Sequence, residues 1–273
     1  METAENTRPE DFSFADIPSG EVIISNHPDQ RILFSFDFDG TLVDLVSRAE
    51  LVQFDGALRE AVEIIAQKRG LVICSGRAIK DLRKYISTGS DVDLIGNHGS
   101  EWLLQKDGKN EIREFTPDQW VRWREEIFPG IENLVKRHGG NLEDKQHSIS
   151  IHYRTSGTRW WSSPEALNAL LGMTTREQNA RARLIPGVTC WNVVPVGMSK
   201  GFSLISYAQH FKYDMIVYFG DEATDESVFE QNTIPIIGIK VGSGPTAARY
   251  RLGSVHDVQK WIIQLSMVDS GLT

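Results

Sequence analysis

The sequence predicts a doubly wound, mostly parallel α/β sheet, Rossmann-like in plan, with a smaller α+β module inserted into it. Two patterns carry that expectation. Short apolar runs at 31–36, 71–74, 93–96, 215–219 and 236–239 alternate with stretches of helical periodicity, which is the rhythm of βαβ units. Between about Glu101 and Pro195 the rhythm gives way to hairpin strands and an alternating strand, as in a half-exposed antiparallel sheet. A chain of 273 residues is long enough to bury a core for both parts.

Residues 1–28 are rich in Glu, Asp, Pro, Ser and Asn and lack apolar periodicity, so a flexible or loosely docked tail is expected there. The fold opens on Arg31-Ile32-Leu33-Phe34-Ser35-Phe36, a run apolar enough for a strand covered on both faces, which breaks at Asp37-Phe38-Asp39-Gly40-Thr41. Ala57, Leu58, Ala61, Ile64 and Ile65 recur at helical spacing within Gly56 to Lys68, and Gly70 then leads into a strand over Leu71 to Cys74. A helix from about 78 to 86 and a strand around 93–96 repeat the unit, with right-handed crossovers.

In the inserted part, Glu101 to Leu104 and Glu111 to Phe115 flank Lys106-Asp107-Gly108-Lys109 as a hairpin, and a helix follows near 117–138. His147 to Arg154 alternates as a half-exposed strand; a helix near 163–171, an ambiguous strand near 182–185 and a strand over 190–194 complete the module. After Pro195 the βα rhythm returns. A helix near 200–210, the strand 215–219 ending at Gly220-Asp221, a helix near 224–230, the strand 236–239 and a last helix near 258–267 are expected. The expected division is a tail over 1–28, a core formed by 29–102 with 196–273, and an inserted module over 103–195.

Composition narrows the function classes. The two cysteines, Cys74 and Cys190, sit far apart in apolar or aromatic settings and read as small core residues rather than a disulfide or thiolate metal site. No apolar run nears the ~20 residues of a bilayer span, and the first residues are acidic and polar where a signal peptide is basic and then apolar. A soluble, cytoplasmic protein without a membrane partner is expected. A net charge of -8 with no basic cluster argues against nucleic acid, and a phosphate ester bound by such a chain needs local neutralisation by a metal ion or a few placed cations.

Open parallel sheets bind ligands outside the carboxyl ends of their strands, and four polar sets fall there. In the first, Asp37 and Asp39 follow a buried strand two residues apart: Asp37 can attack phosphorus, and Asp39 can protonate a leaving alkoxide and then activate water. The second is Ser75-Gly76-Arg77, whose hydroxyl and amides can hold a phosphate oxygen. In the third, Lys200 opens a helix, where a cation is unfavourable without an anion beside it. The fourth is Gly220-Asp221-Glu222-Ala223-Thr224-Asp225, hard oxygens suited to magnesium together with Asp37. Taken singly, each set is also ordinary local structure: an Asp-Gly turn, a helix entry, a solvated lysine, a helix N-terminus.

In their order along the chain these sets resemble the haloacid dehalogenase superfamily of phosphohydrolases, from about Arg31 to Ile262. The resemblance implies Asp37 as nucleophile and Asp39 as general acid and base. It also implies Thr41, Ser75, Gly76, Arg77 and Lys200 around the phosphate, and Mg2+ among Asp37, Asp39, Asp221 and Asp225. Asp39 stands where ion-pumping relatives have Thr, which favours hydrolysis. An insert placed between Arg77 and Lys200 implies a C2-type cap, as in sugar phosphatases, and speaks against a mutase.

Three runs are closer still to the trehalose-6-phosphate phosphatase family: Ile95 to Glu101, Leu142 to Arg154 and Gly220 to Glu226. Carried over, Glu143 and Lys145 would contact sugar hydroxyls from the cap, with Asn97, His98 and Glu101 near the seam and His152 and Asn192 completing the substrate set. One stretch departs. Where that family typically has Glu, a β residue, a basic residue and Pro, this chain has Asn192-Val193-Val194-Pro195. The expected function is a Mg2+-dependent phosphatase acting on trehalose 6-phosphate or a related sugar phosphate; the sequence leaves the oligomeric state open, with a monomer favoured. The alternatives are a sugar-phosphate sensor on the same scaffold, or a phosphoryl transferase or mutase.

Overall fold

The structure is a computed structural model and describes residues 17–46, 52–54, 56–86, 90–106, 109–176, 179–187 and 189–271. Its elements run in chain order as α1 (Gly20–Asn26), β1 (Ile32–Phe36), α2 (Gly56–Lys68), β2 (Leu71–Cys74), α3 (Ile79–Leu82), β3 (Asp93–Gly96), β4 (Glu101–Lys106) and β5 (Lys109–Glu114). The inserted unit holds α4 (Asp118–His138), β6 (Asn141–Asp144), β7 (Ile149–His152), α5 (Pro164–Thr174), the short pair β8 (Thr175–Arg176) and β9 (Asn179–Ala180), β10 (Ala182–Pro186) and β11 (Cys190–Pro195). The chain then returns through α6 (Lys200–His210), β12 (Met215–Gly220), α7 (Glu226–Phe229), β13 (Ile236–Val241), β14 (Tyr250–Leu252) and α8 (Val255–Ser270).

The large sheet has the order β14-β13-β12-β1-β2-β3-β4-β5. It is parallel from β14 to β3 and antiparallel across β3, β4 and β5. The strand period of two divides β1 between two apolar layers. Phe34 and Phe36 pack with Ile65 of α2 and Trp261 and Leu265 of α8, whereas Leu33 packs with Leu204 of α6 and Val228 of α7. β1 is therefore buried on both faces, and its carboxyl end is central to the sheet.

The smaller sheet, β10-β11-β7-β6, is antiparallel. One face carries Ile149, Ile151 and Val193, packed with Trp120, Ile127 and Ile131 of α4, Trp161, and Leu170 of α5. The alternate residues Glu143, His152 and Asn192 fall on the opposite face, turned toward the large sheet. Its chain leaves the large sheet through 115–117 and comes back through 196–199, and Lys200 begins α6 directly after.

Four expectations need correction. Residues 20–26, read as tail, form α1, because Ile17 and Ile23 have apolar partners on α8, Gly20 lies against Leu265, and Trp261 donates to the Pro18 carbonyl at 3.2 Å. Residues 1–16 lie outside the described part. The hairpin β4-β5, read with the inserted module from 103, instead extends the large sheet, since Leu94 to Gly96 pair with Glu101 to Leu103. Cys74 is core, but Cys190 is only half-buried. The helices at 78–86 and 224–230 shorten to α3 and α7, and α1, β6, β8, β9 and β14 had no counterpart in the pattern.

Candidate active site

β1 hands the chain to a tight loop: Asp37 N-H donates to the Phe219 carbonyl at 2.9 Å, and Leu42 and Val43 N-H both bond back to the Phe38 carbonyl. Gly40 turns this loop at φ 80°, and a Cβ there would collide with the Asp221 carboxylate, so only glycine allows the loops after β1 and β12 to meet. Asp37 is buried and pairs with Lys200 Nζ at 2.9 Å; the same ammonium lies 2.8 Å from Asp225 Oδ1 and 3.9 Å from Glu222 Oε1. Asp225 is fixed by the Tyr218 hydroxyl at 2.5 Å and the Glu222 amide at 2.9 Å.

Asp37, Asp221 and Asp225 each present an oxygen within 4.8 Å of the others. Burial pushes the Asp37 carboxyl well above its ordinary range; Lys200 opposes this, while Asp225 and Asp221 add to it. Burial and Asp225 raise Asp221 to about 6. Burial alone would lower the Lys200 pKa, but Asp225, Asp37 and Glu222 outweigh it and hold the ammonium well above its usual value. Lys200 pairs with Asp37 and Asp225 of this trio, and the surplus of hard, negative oxygens that is left is a donor set that a divalent metal ion fits.

Asp39, named for the same metal set, stands apart from the trio. Arg77 takes both of its oxygens, Nε to Oδ2 at 2.5 Å and Nη2 to Oδ1 at 2.6 Å. Ser75 is buried and accepts from the Arg77 amide at 3.1 Å, which leaves its hydroxyl proton free to donate. Thr41, expected at the phosphate, is fully buried and bonds Asp221 Oδ1 at 3.1 Å. Its hydroxyl orients the acidic trio rather than facing solvent.

These groups floor a cleft of about 590 Å³ between the two sheets, lined by Asp37, Asp39, Ser75, Gly76, Arg77, Asp221 and Glu222 below and by Glu143, Lys145, His152, Asn192 and Arg154 above. Lys145 Nζ crosses the seam to the Gly76 carbonyl at 3.1 Å and lies 3.8 Å from Glu143. Burial would raise Glu143, but the 2.9 Å bond to His152 and the nearby Lys145 hold it down at about 2. His98 packs against Gly76, and burial together with Lys145 and Lys200 pushes its pKa well below the ordinary value, leaving a neutral ring on the cleft wall. Asn192 Oδ1 accepts from the Ser150 hydroxyl at 2.6 Å.

Two residues of the expected substrate set do not reach the cleft. Asn97 Nδ2 donates to Glu101 Oε1 at 2.6 Å and to the Lys145 carbonyl at 3.2 Å, and its Oδ1 accepts from Ser148 at 2.7 Å. Glu101 also accepts from the Ile79 amide at 3.0 Å. Asn97 ties the smaller unit to the core through Lys145 and Ser148, and Glu101 holds Asn97 from the core side. Sequence reasoning passed over Lys240, whose buried ammonium donates to the Asp221 carbonyl at 2.5 Å. Its place at the carboxyl end of β13, the rule that found the other sets, was the available signal.

Comparison with known proteins matches this architecture. A trehalose-phosphatase family model matches residues 35–255. The chain is 27% identical to trehalose-6-phosphate phosphatase of Escherichia coli (strain K12) over 235 residues, covering 83% of this chain and 84% of that one. It is 26% identical over 242 residues to a bifunctional trehalose-6-phosphate synthase/phosphatase of Thermoproteus tenax, covering 86% of this chain but 32% of that longer protein. The crystal structure of a trehalose-6-phosphate phosphatase related protein superposes with a TM-score of 0.71 at 21% identity, covering 88% of this chain and 100% of that one. With both sheets in common and the family match extending over most of its length, the chain belongs to the trehalose-phosphatase family and is a phosphoric monoester hydrolase of the haloacid dehalogenase type.

Proposed function

We propose that the chain is a Mg2+-dependent phosphatase that hydrolyses trehalose 6-phosphate or a related sugar phosphate through a phosphoryl group carried on Asp37. The observation that carries this reading is the buried Asp37 carboxylate, paired with Lys200 at 2.9 Å, on the floor of a cleft whose far wall is polar. Asp37 attacks phosphorus while Asp39 gives its proton to the departing sugar oxygen. Water then attacks the aspartyl phosphate, passes a proton to Asp39 and releases phosphate. Lys200 and the Ser75 hydroxyl hold phosphoryl oxygens. Asp37, Asp221 and Asp225 would hold Mg2+, whose chemistry here is to neutralise charge on the transferring group.

Carboxylate, ammonium, imidazole and amide groups on the upper wall suit a leaving group rich in hydroxyls, whose donors and acceptors they can match in pairs. At the departing stretch, Asn192 presents an amide, and Val194 is fully buried against Arg183 of the neighbouring strand. That difference is the reason for including relatives of trehalose 6-phosphate among the substrates. Incubation with mono- and disaccharide phosphates should release inorganic phosphate with Mg2+ and stop with EDTA. A ligand-dependent rise in Tm without any phosphate release would instead mark a binding protein.

A further inference from the structure

Arg77 was expected among the phosphate ligands, and its surroundings give it a different task. Two of its donors are taken by the two oxygens of Asp39, at 2.5 and 2.6 Å. The guanidinium lies 5.5 Å from the ring centroids of both Phe38 and Tyr85, and Nη1 reaches the Tyr85 hydroxyl at 3.5 Å. Those rings are 5.2 Å apart and Phe38 is fully buried, so together they back the guanidinium along one flank. Its backbone is also pinned: the amide donates to Ser75 Oγ at 3.1 Å and the carbonyl accepts from Asn97 at 2.7 Å. A planar fork so fixed sets the orientation of a carboxylate in a way a point charge does not.

We propose that Arg77 is a positioning residue that acts through Asp39: it holds that carboxyl group on the leaving-group side of the cleft. The inference rests on the phosphatase reading above. In the first step Asp37 forms a bond to phosphorus and the bond from phosphorus to the sugar oxygen breaks. The electron pair stays on that oxygen, which takes the proton from Asp39. In the second step water forms a bond to phosphorus and returns a proton to Asp39, and the bond to Asp37 breaks. Arg77 supplies neither proton nor electrons; its two-bonded grip is on the carboxylate that Asp39 becomes once its proton has gone to the sugar oxygen and before water returns one.

A leaving group that needs no proton exposes the difference. The value of kcat/KM reports only steps through departure of the alcohol. It is measured for a sugar phosphate and for p-nitrophenyl phosphate, whose phenolate leaves unprotonated, on the same preparation, so any unfolded fraction cancels from their ratio. Asp39→Asn should lower the sugar-to-aryl ratio about 100-fold, within the usual range for a general acid. Arg77→Met should lower it at least about tenfold, and Arg77→Lys, which keeps charge without the fork, should fall between Arg77→Met and the unmodified protein. The double variant Asp39→Asn with Arg77→Met should show no lower ratio than Asp39→Asn alone, because both changes remove one function.

Equal losses on both esters in Arg77→Met and Arg77→Lys would overturn the inference and place the guanidinium on the phosphate itself. Independent, additive losses in the double variant would overturn it as well. Failure of the unmodified protein to release phosphate from either ester overturns the phosphatase reading and this inference with it.

Discussion

At the scale of single residues, Asp37 is one of three clustered carboxylates, two of them paired with Lys200, and this crowding gives its replacement two opposite effects. Asp37→Asn should reduce phosphate release to below about one-thousandth, as loss of a nucleophile does. In metal-free protein the same change should leave Tm unchanged or raise it, because a buried like charge is gone. Phosphate assay and thermal melt on one preparation check both. Glu143 gives a pH-dependent test. Its folded pKa of about 2 lies below the ordinary 4.5, so its bonds to His152 and Lys145 contribute stability above pH 4.5 that is lost as pH falls through about 2. Discounted for its partial exposure, the contribution is about 1 kcal/mol. Glu143→Gln should therefore be less stable by that amount at neutral pH, with the gap closing in acid, as read from urea midpoints across pH. The places of Asp37, Asp39, Ser75 and Asp221 were legible because strand ends announce themselves in sequence, and that of Lys200 because a helix start does. The grip of Arg77 on Asp39, and the turning of Thr41, Asn97 and Glu101 to protein partners, were not, because side-chain direction depends on neighbours distant in the chain.

At the scale of elements, strands with continuous apolar runs were read closely, and the misreadings fall where local pattern and tertiary context disagree. α1 is only seven residues long and has one fully apolar side, too little for periodicity to register, yet Ile23 is inserted beside α8. Ile23→Ala should cost about 2 to 4 kcal/mol in denaturant unfolding while leaving kcat unchanged, since Ile23 packs in the apolar layer with α8 and does not line the cleft. β4 and β5 carry the alternation of a half-exposed sheet because β5 is an exposed edge, although the hairpin belongs to the large sheet. β6 was hidden by its polar content: Asn141, Glu143 and Asp144 carry no strand alternation, but they form the edge strand beside β7.

At the scale of the whole molecule, the acidic trio joins the loops after β1 and β12 and the start of α7, so its repulsion opposes closure of the fold around it. A divalent cation that binds only the folded form relieves this repulsion by mass action. Saturating Mg2+ should raise Tm by about 5 °C, and Asp221→Asn should abolish most of that rise, as followed by calorimetry. The division into a parallel core and an antiparallel insert could be read from the change of period, but the joint between them could not. At its return that joint is four residues, 196–199, turning at Gly197 with φ 89°, and the next residue is Lys200, fastened to Asp37 and Asp225 at 2.9 and 2.8 Å. Mechanically, the smaller unit is a door hung on the reaction's own charge. Any swing is shared between the outgoing link, 115–117, and that short strap, and the post on which the strap pivots is as firm as the ion pairs at the bottom of the cleft.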